Sequence, residues 1–316
     1  MPVLSVLHYS IRTVKTMYLK ICDFARSLGC EAVENEPMKK HISFKLGGNA
    51  RAFIEPNSEE NLLKILKECK ALGLHYAVIG NGSNLLVRDE GFEGVVIHLG
   101  SAFGKMKLIG EDIIWCEAGA NLMKVCNFAL EHALTGLEFA YGIPGSAGGA
   151  AYMNAGAYGG EMKDVLYECT HIDSALQPGA LGGDALKLSY RHSAYCDNGA
   201  VITGLRMQLQ KGDKAAIKAK MDELYGRRKA KQPLEYPSAG STFKRPEGYF
   251  AGKLIEDAGL KGARVGGAAV SEKHAGFVVN LGGATCADVL ALCESVNETV
   301  KKQFGVGLER EVKILE

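Results

Sequence analysis

Apolar positions recur along this chain at two periods, and the switches between them mark out its elements. Leu62, Ile65, Leu66 and Cys69 repeat at helical spacing. Asn57-Ser58-Glu59-Glu60 just before them has the make-up of a capping box, which predicts a helix opened by Asn57. "RAFIEP" before this helix and "HYAVIG" after it read as strands, giving a βαβ-like unit. From Phe92 to about Gln210 short strand-like runs dominate: "GVVIHL", "DIIWCEA", "YECTHID" and "AVITGLRMQLQ". One helix, Asn121 to Leu134, interrupts them and is closed by Thr135-Gly136.

Asp213 to Lys231 reads as a charged connector helix with Ile217, Met221 and Leu224 inward. Its basic end, "GRRKAK", precedes a break marked by proline, "QPLEYP". Beyond the break, "FAGKLIEDAG" predicts a helix and "GFVVN" a strand. A long amphipathic helix follows, opened by a Thr285-x-x-Asp288 cap, and "EVKILE" closes the sequence as a short strand. On that strand Glu309 and Glu311 would share one face, with Val312 and Ile314 toward the core. Three units result: residues to about 82, then to about 226, then the remainder. This is mixed α+β rather than a regular βαβαβ series.

Composition narrows the function. Net charge is +1 and no long basic run occurs, so a nucleic-acid partner is not expected. No apolar run reaches the roughly 20 residues of a membrane-spanning helix, so no membrane partner is expected either. The opening "MPVLSVLHYSIRTVKTMYLK" lacks the layout of a signal peptide and reads as an N-terminal extension, with Met17 an alternative start. Nine cysteines, an odd number with no CxxC, argue against both a disulfide framework and a zinc site. They read as buried thiols of a reducing compartment, the cytoplasm, with Cys69, Cys126 and Cys293 on core faces of helices. No metal and no obligate protein partner are expected.

Glycine is the unusual entry, at 39 of 316 residues. Gly80-Asn81-Gly82-Ser83-Asn84 follows a predicted strand, yet it is no dinucleotide fingerprint: position 85 is Leu where the third glycine belongs, and no GK[ST] follows. By itself it could be an ordinary tight turn. A second loop, Gly142-Ile143-Pro144-Gly145-Ser146-Ala147-Gly148-Gly149-Ala150, runs on to Asn154-Ala155-Gly156-Ala157 with almost no large side chain. A packing segment this bare would bury little apolar surface. A segment beneath a flat cofactor or its pyrophosphate needs such bareness, because successive N–H groups can then form an anion nest.

"GNGSNLLV", "GIPGSAGGAAYMNAGAYG", "SYRHSAY", "AGSTFKRP" and "LEREVKI" occur in this order. Together they resemble the UDP-N-acetylenolpyruvoylglucosamine reductases, the MurB family, from about His41 onward. The resemblance implies an α+β fold: a two-lobed FAD-binding domain of the vanillyl-alcohol-oxidase type plus a smaller substrate-binding domain. Residues 1–82 would form the N-terminal segment and first FAD lobe, 83–226 the second lobe and 227–310 the substrate-binding domain. Residues 311–316 would form a strand returning to the FAD lobes. It implies FAD and NADPH as cofactors and UDP-GlcNAc-enolpyruvate as substrate. Cofactor contacts would come from Gly80, Asn81, Gly82, Ser83, Asn84 and Leu85, then Gly142, Pro144, Gly145, Gly148, Gly149 and Ala150, and finally Asn154, Gly156 and Ala157.

The family's reaction passes hydride from flavin N5 to C3 of the vinyl ether, then a proton to C2. Arg191 matches the cation that stabilises the charge developing on the substrate carboxylate, a task suited to a guanidinium fork. Ser241 matches the proton donor, a weak acid that suffices when the acceptor is very basic and close. Glu311 matches the carboxyl residue beside the developing charge, with Glu309 its rival; either would have to be protonated or hydrogen-bonded to help an anion. Lys231 and Arg245 are the picks for the diphosphate. Arg227 and Arg228 are weaker, as a charge run at a helix end is usually a solvated cap. Only 50 positions separate Arg191 from Ser241 (241 − 191), which implies the shorter subtype without a Tyr-bearing insertion. Other flavin oxidases of this fold tether the flavin through a His or Cys in the first glycine loop, and residues 80–84 offer neither.

Overall fold

The computed structural model describes residues 16–316. The N-terminal extension read from the sequence falls mainly on residues 1–15, outside the described residues. Residues 16–27 are helical, with Ile21, Cys22 and Ala25 buried. The chain divides into two units. One takes the described residues up to Glu36 with Ala50–Asn81 and Glu93–Lys218; the other takes Pro37–Asn49, Gly82–Phe92 and Ala219–Glu316.

The first unit contains a four-stranded sheet in the order Glu31–Pro37, Asn49–Glu55, Phe92–His98, Tyr76–Ile79, the last two strands parallel. Helix Glu59–Ala71 lies between the second and fourth of these in sequence, as its apolar period predicts, and Leu62, Ile65, Leu66 and Cys69 are all buried. Its cap is Ser58 rather than Asn57: the Ser58 hydroxyl accepts from the Asn61 N–H at 3.2 Å. Asn57 is drawn aside, its Nδ2 donating to Gly29 O at 3.0 Å. Two adjacent residues could each have capped, and a contact remote in sequence decided between them.

The larger sheet has five antiparallel strands in the order Pro178–Gly182, Leu166–Ile172, Val201–Gln208, Ile113–Glu117, Met106–Ile109. Helix Leu122–Glu131 is capped by Asn121, whose Oδ1 accepts from Lys124 N at 3.2 Å. It ends three residues short of the predicted Leu134. Ala133 takes φ +54°, and Leu134-Thr135 leave to pair with Gln210-Lys211. The pairing captured residues whose helical propensity alone would have continued the helix.

Helix Lys214–Lys231 buries Ile217, Met221 and Leu224 as predicted. Arg228 corrects the reading of its basic end as solvated: it is buried and donates from Nη1 to Gln232 Oε1 at 3.4 Å.

In the second unit, Arg264–Val265, Ala268–Val270 and Val278–Asn280 form an antiparallel sheet. Lys313–Leu315 pairs in parallel with Leu85–Val87. The terminal strand is shorter than expected, so Glu309 and Glu311 do not share a strand face. Glu309 is exposed and ion-paired to Lys244, whereas Glu311 and Val312 are buried; of the last residues Leu315, not Ile314, is buried.

Helix Cys286–Phe304 carries the predicted box in full. Thr285 Oγ1 accepts from Asp288 N and Asp288 Oδ2 from Thr285 N, both at 3.0 Å. Asp89 adds a second clamp, accepting from Cys286 N at 2.8 Å and Ala287 N at 3.0 Å. Three N–H groups that a helix start leaves without partners are thereby satisfied.

All nine cysteines are free, and all but the half-buried Cys196 are buried. Burial pushes the Cys69, Cys126 and Cys293 thiols up to about 12, so they stay protonated.

Replacing Asp89 by Ala should lower stability by about 1 kcal/mol, the usual worth of a cap. Urea unfolding would read this as a lower midpoint at constant slope; an unchanged midpoint would overturn it. Asp288 makes stability depend on acid. Its carboxyl lies below the ordinary value of 3.8, chiefly because it accepts the Thr285 N–H. The folded state therefore favours the carboxylate. That contribution is complete above the unfolded value and is lost as pH falls through the lower folded value. Asp288→Asn should unfold more easily at neutral pH and lose part of the acid-dependent decline below about pH 4. An unaltered acid limb in a pH series of thermal melts would count against this account.

Candidate functional site

The two glycine stretches meet backbone to side chain in the first unit. A Cβ at Gly80 would lie 2.1 Å from Ser146 Oγ, so no side chain fits there. Ser146 is buried and caps the short helix Ala147–Tyr152, accepting from Gly149 N at 3.2 Å. This corrects the reading of residues 142–150 as loop throughout. Ala-Gly-Gly-Ala-Ala has enough helix tolerance once a cap and tertiary bonds fix its start. Those bonds run from Ala147 N to Ala120 O and from Gly148 N to Ala118 O, each 2.8 Å. Gly148 must be glycine for the same reason as Gly80: a Cβ would stand 2.7 Å from that of Ala118.

Gly119 belongs to this set and was not singled out in the sequence. A Cβ on it would lie 2.4 Å from Gly100 O and 2.6 Å from Phe103 O. "EAGAN" carries a signal, small residues before a capped helix, but nothing local says what approaches it.

Among the described residues, the N–H groups of Gly80, Asn81, Gly142 and Gly145 donate to no backbone carbonyl. Gly149 and Pro144 are exposed and Gly142 and Gly145 half-buried, whereas Gly148 and Ala150 are buried in packing. Half-buried N–H donors on a surface without side chains fit a flat ligand with a diphosphate, which is the demand a dinucleotide makes. Gly156-Ala157 pair with Gly160-Glu161 in a two-strand hairpin whose tip, Tyr158-Gly159, has positive φ.

Asn154 is wholly buried and its side chain is engaged by protein. Nδ2 donates to Glu161 Oε2 at 2.8 Å and to Ser189 O at 2.9 Å, and Oδ1 accepts from Lys163 N at 2.8 Å. Arg191 is half-buried at a left-handed position, φ +55°. It occupies the third place of a tight turn closed by reciprocal hydrogen bonds between Ser189 and His192, at 3.1 and 3.2 Å. Its Nη2 donates to Gly156 O at 3.3 Å and its guanidinium carbon lies 5.0 Å from the Tyr190 ring centroid.

The second unit holds Gly82, Ser83, Asn84 and Leu85. The N–H groups of Gly82, Ser83 and Asn84 also donate to no backbone carbonyl among the described residues. Gly82 has φ +58° and a Cβ there would lie 2.4 Å from His41 O. Asn84 Nδ2 donates to Glu311 O at 3.3 Å, and Leu85 opens the strand paired with Lys313.

Glu311 is bonded through its main chain to Thr242, the residue that follows Ser241 in sequence. Glu311 N donates to Thr242 O at 2.8 Å, Thr242 N to Gly276 O at 2.8 Å, and Val278 N to Thr242 Oγ1 at 2.9 Å. Thr242 is buried, as is Glu311, while Ser241 just beyond Gly240 is exposed. Thr242 was missed because its role lies in tertiary hydrogen bonds. Lys231 is exposed at the end of its helix, and Arg245, also exposed, stacks 4.6 Å from the Phe250 ring centroid.

No group of three or more His, Cys, Asp and Glu able to hold a metal occurs among the described residues, and no helix there is long and apolar enough to cross a membrane.

Residues 50–175 match the profile of the FAD binding domain, and residues 232–315 that of the UDP-N-acetylenolpyruvoylglucosamine reductase C-terminal domain. A reductase of that name from Clostridium novyi is 52% identical over 285 residues, 90% of this chain and 92% of that protein. One from Agathobacter rectalis is 51% identical, over 90% of this chain and 93% of the relative. The crystal structure of the corresponding reductase, MurB, from Thermus caldophilus is similar with a TM-score of 0.77 at 36% identity. It covers 91% of this chain and 99% of its own.

The Gly80–Ser146 approach is open to a direct test. Gly80→Ala should destabilise by about 1–3 kcal/mol through overpacking, and Ser146→Ala should relieve part of that clash. A double-mutant cycle in urea unfolding should therefore give clear coupling between the two positions; simple additivity would show that they do not press on each other.

Proposed function

The chain belongs to the UDP-N-acetylenolpyruvoylglucosamine reductase family, and from that membership we propose how its own residues divide the reaction. It is an FAD-dependent oxidoreductase that uses NADPH to reduce the enolpyruvyl ether of UDP-N-acetylglucosamine to UDP-N-acetylmuramate, a step of peptidoglycan precursor synthesis. FAD, when bound, would supply the hydride chemistry between the nicotinamide and the vinyl ether. Everything else falls to protein side chains and backbone.

The proposed cofactor cradle in the first unit is the bare backbone of Gly80-Asn81 and of Gly142–Gly149, with Ala150, Gly156 and Ala157 shaping its floor; Gly82, Ser83, Asn84 and Leu85 of the second unit are assigned to the cofactor from the family motif. Its support is the set of N–H groups with no backbone acceptor on a surface where Gly80 and Gly148 admit no Cβ. Arg191 is assigned to the substrate carboxylate, where a permanent cation stabilises charge as it builds up. Its turn holds a half-buried guanidinium that donates to a neutral carbonyl, Gly156 O.

Ser241 is assigned to protonate C2. Its hydroxyl is exposed while its neighbour Thr242 is fixed by three hydrogen bonds, an arrangement that presents a weak acid on a rigid base. Glu311 is assigned to the developing charge in preference to Glu309. The observation that carries this choice is burial: Glu311 is 9% exposed and tied to Thr242, while the Glu309 side chain is 72% exposed and held by Lys244. Lys231 and Arg245 are assigned to the diphosphate on charge and exposure.

Residues to 82 and 83–226 are read as the two FAD-binding lobes, and 227–310 as the substrate-binding domain followed by the terminal strand. The profile matches at 50–175 and 232–315 support an FAD-binding part and a separate C-terminal part. A chain with nine free thiols suits a reducing compartment, which supports a cytoplasmic enzyme, and the 50 positions between Arg191 and Ser241 (241 − 191) support the shorter subtype.

An anaerobic visible spectrum tests the reading. NADPH should bleach the flavin band and UDP-GlcNAc-enolpyruvate should restore it; a folded protein that takes up no FAD would overturn it. Ser241→Ala should bleach normally and recover at least about 100-fold more slowly. Normal recovery in that variant would remove Ser241 as the proton donor.

A further inference from the structure

A left-handed backbone and a fully engaged side chain rarely coincide in one residue by accident, and Asn154 has both. Its φ is +41° just beyond the Ala147–Tyr152 helix. Glycine would adopt that conformation with less strain. Asparagine tolerates it and adds a side chain, here wholly buried, with both amide hydrogens and one oxygen lone pair used. One amide hydrogen goes to Ser189 O, the carbonyl that also accepts from His192 N to close the turn. Arg191 sits inside that turn at φ +55°, where a side chain other than glycine costs energy unless its surroundings fix it. The guanidinium meets the same segment again two residues on, at Gly156 O, 3.3 Å away. Base and tip of Arg191 are thus both referred to residues 154–156. The partner of the second amide hydrogen is equally fixed: Glu161 also ion-pairs with Lys163, and Lys163 N donates back to Asn154 Oδ1.

We infer that Asn154 is a positioning residue for Arg191, holding its turn through the Ser189 carbonyl, and does not act through contact with the cofactor. The inference rests on the reading of Arg191 given above. The predicted consequence is specific to one half of the catalytic cycle. A turn released from Asn154 lets the guanidinium drift, and misplacement by about 1 Å can cost about 100-fold in rate. Flavin reduction by the nicotinamide builds up no charge on a substrate carboxylate, the task assigned to Arg191, and should be left as it was.

The test uses the flavin-loaded full chain in stopped-flow anaerobic half-reactions. Asn154→Gly keeps the backbone conformation and removes the side chain. Asn154→Asp keeps size and the Lys163 contact but, once ionised, has no donor for Ser189 O or Glu161, and serves if the glycine variant does not fold. Either should retain FAD, be reduced by NADPH at the parent rate, and be reoxidised by UDP-GlcNAc-enolpyruvate about 10- to 100-fold more slowly. In steady state kcat should fall with little change in KM. Combined with Arg191→Ala, the Asn154 change should add nothing further, because the group it positions is gone.

Loss of FAD or of the NADPH step in either variant would overturn the inference, since Asn154 would then be serving the cofactor. So would full additivity with Arg191→Ala, or normal reoxidation in the Asn154 variants alongside a slow Arg191→Ala. Normal reoxidation in Arg191→Ala itself would instead remove the role of Arg191, and the inference with it.

Discussion

A methyl group at position 148 would overlap Ala118, and one at position 80 would overlap the Ser146 hydroxyl. This exclusion of Cβ atoms is the constraint from which the rest of the first unit follows. It lets the segment 142–150 bond through its own N–H groups to Ala118 and Ala120, so its start is fixed without side-chain packing. A segment anchored in that way can stay bare on its other side. The N–H groups of Gly142 and Gly145, which donate to no backbone carbonyl among the described residues, are the ones proposed to meet the cofactor. Glycine is costly in conformational entropy. Its concentration here marks a surface built for contact with something other than the protein's own core.

Main-chain hydrogen bonds set the segments that carry the proposed catalytic groups. Ser241 and Glu311 each adjoin Thr242, one in sequence and one through a main-chain bond, and the buried Thr242 hydroxyl and main chain are bonded to Val278, Gly276 and Glu311. Arg191 is held at a strained φ by the turn of Ser189–His192 and by Gly156 O. Glu309, exposed and ion-paired to Lys244, is the weaker candidate beside the buried Glu311.

Much of the fold was legible from period and caps. The Glu59–Ala71 and Cys286–Phe304 helices declare themselves because their apolar stripes and end signals agree. The places where the reading slipped share a cause. Asn57 lost the cap to Ser58 through a bond to Gly29, the helix after Asn121 was cut short by pairing with Gln210-Lys211, and Arg228 was drawn into burial. Each depended on a partner distant in sequence, which no local window contains. Residues 142–150 read as loop in sequence because their glycines mask the start of the helix Ala147–Tyr152, which is set by Ala118 and Ala120.

The sequence by itself determined the element types, the family, and the residues whose chemistry suits the reaction, because periodicity, caps and ordered motifs are local properties of the chain. Only the tertiary structure decided how those residues are held. Glu311 is separated from Glu309 by burial, Gly80 is explained by Ser146, and the Asn154 side chain is bonded to the turn that carries Arg191. Burial and hydrogen-bond partnership are properties of pairs brought together by folding. They are absent from any single stretch of sequence, however specific its motif.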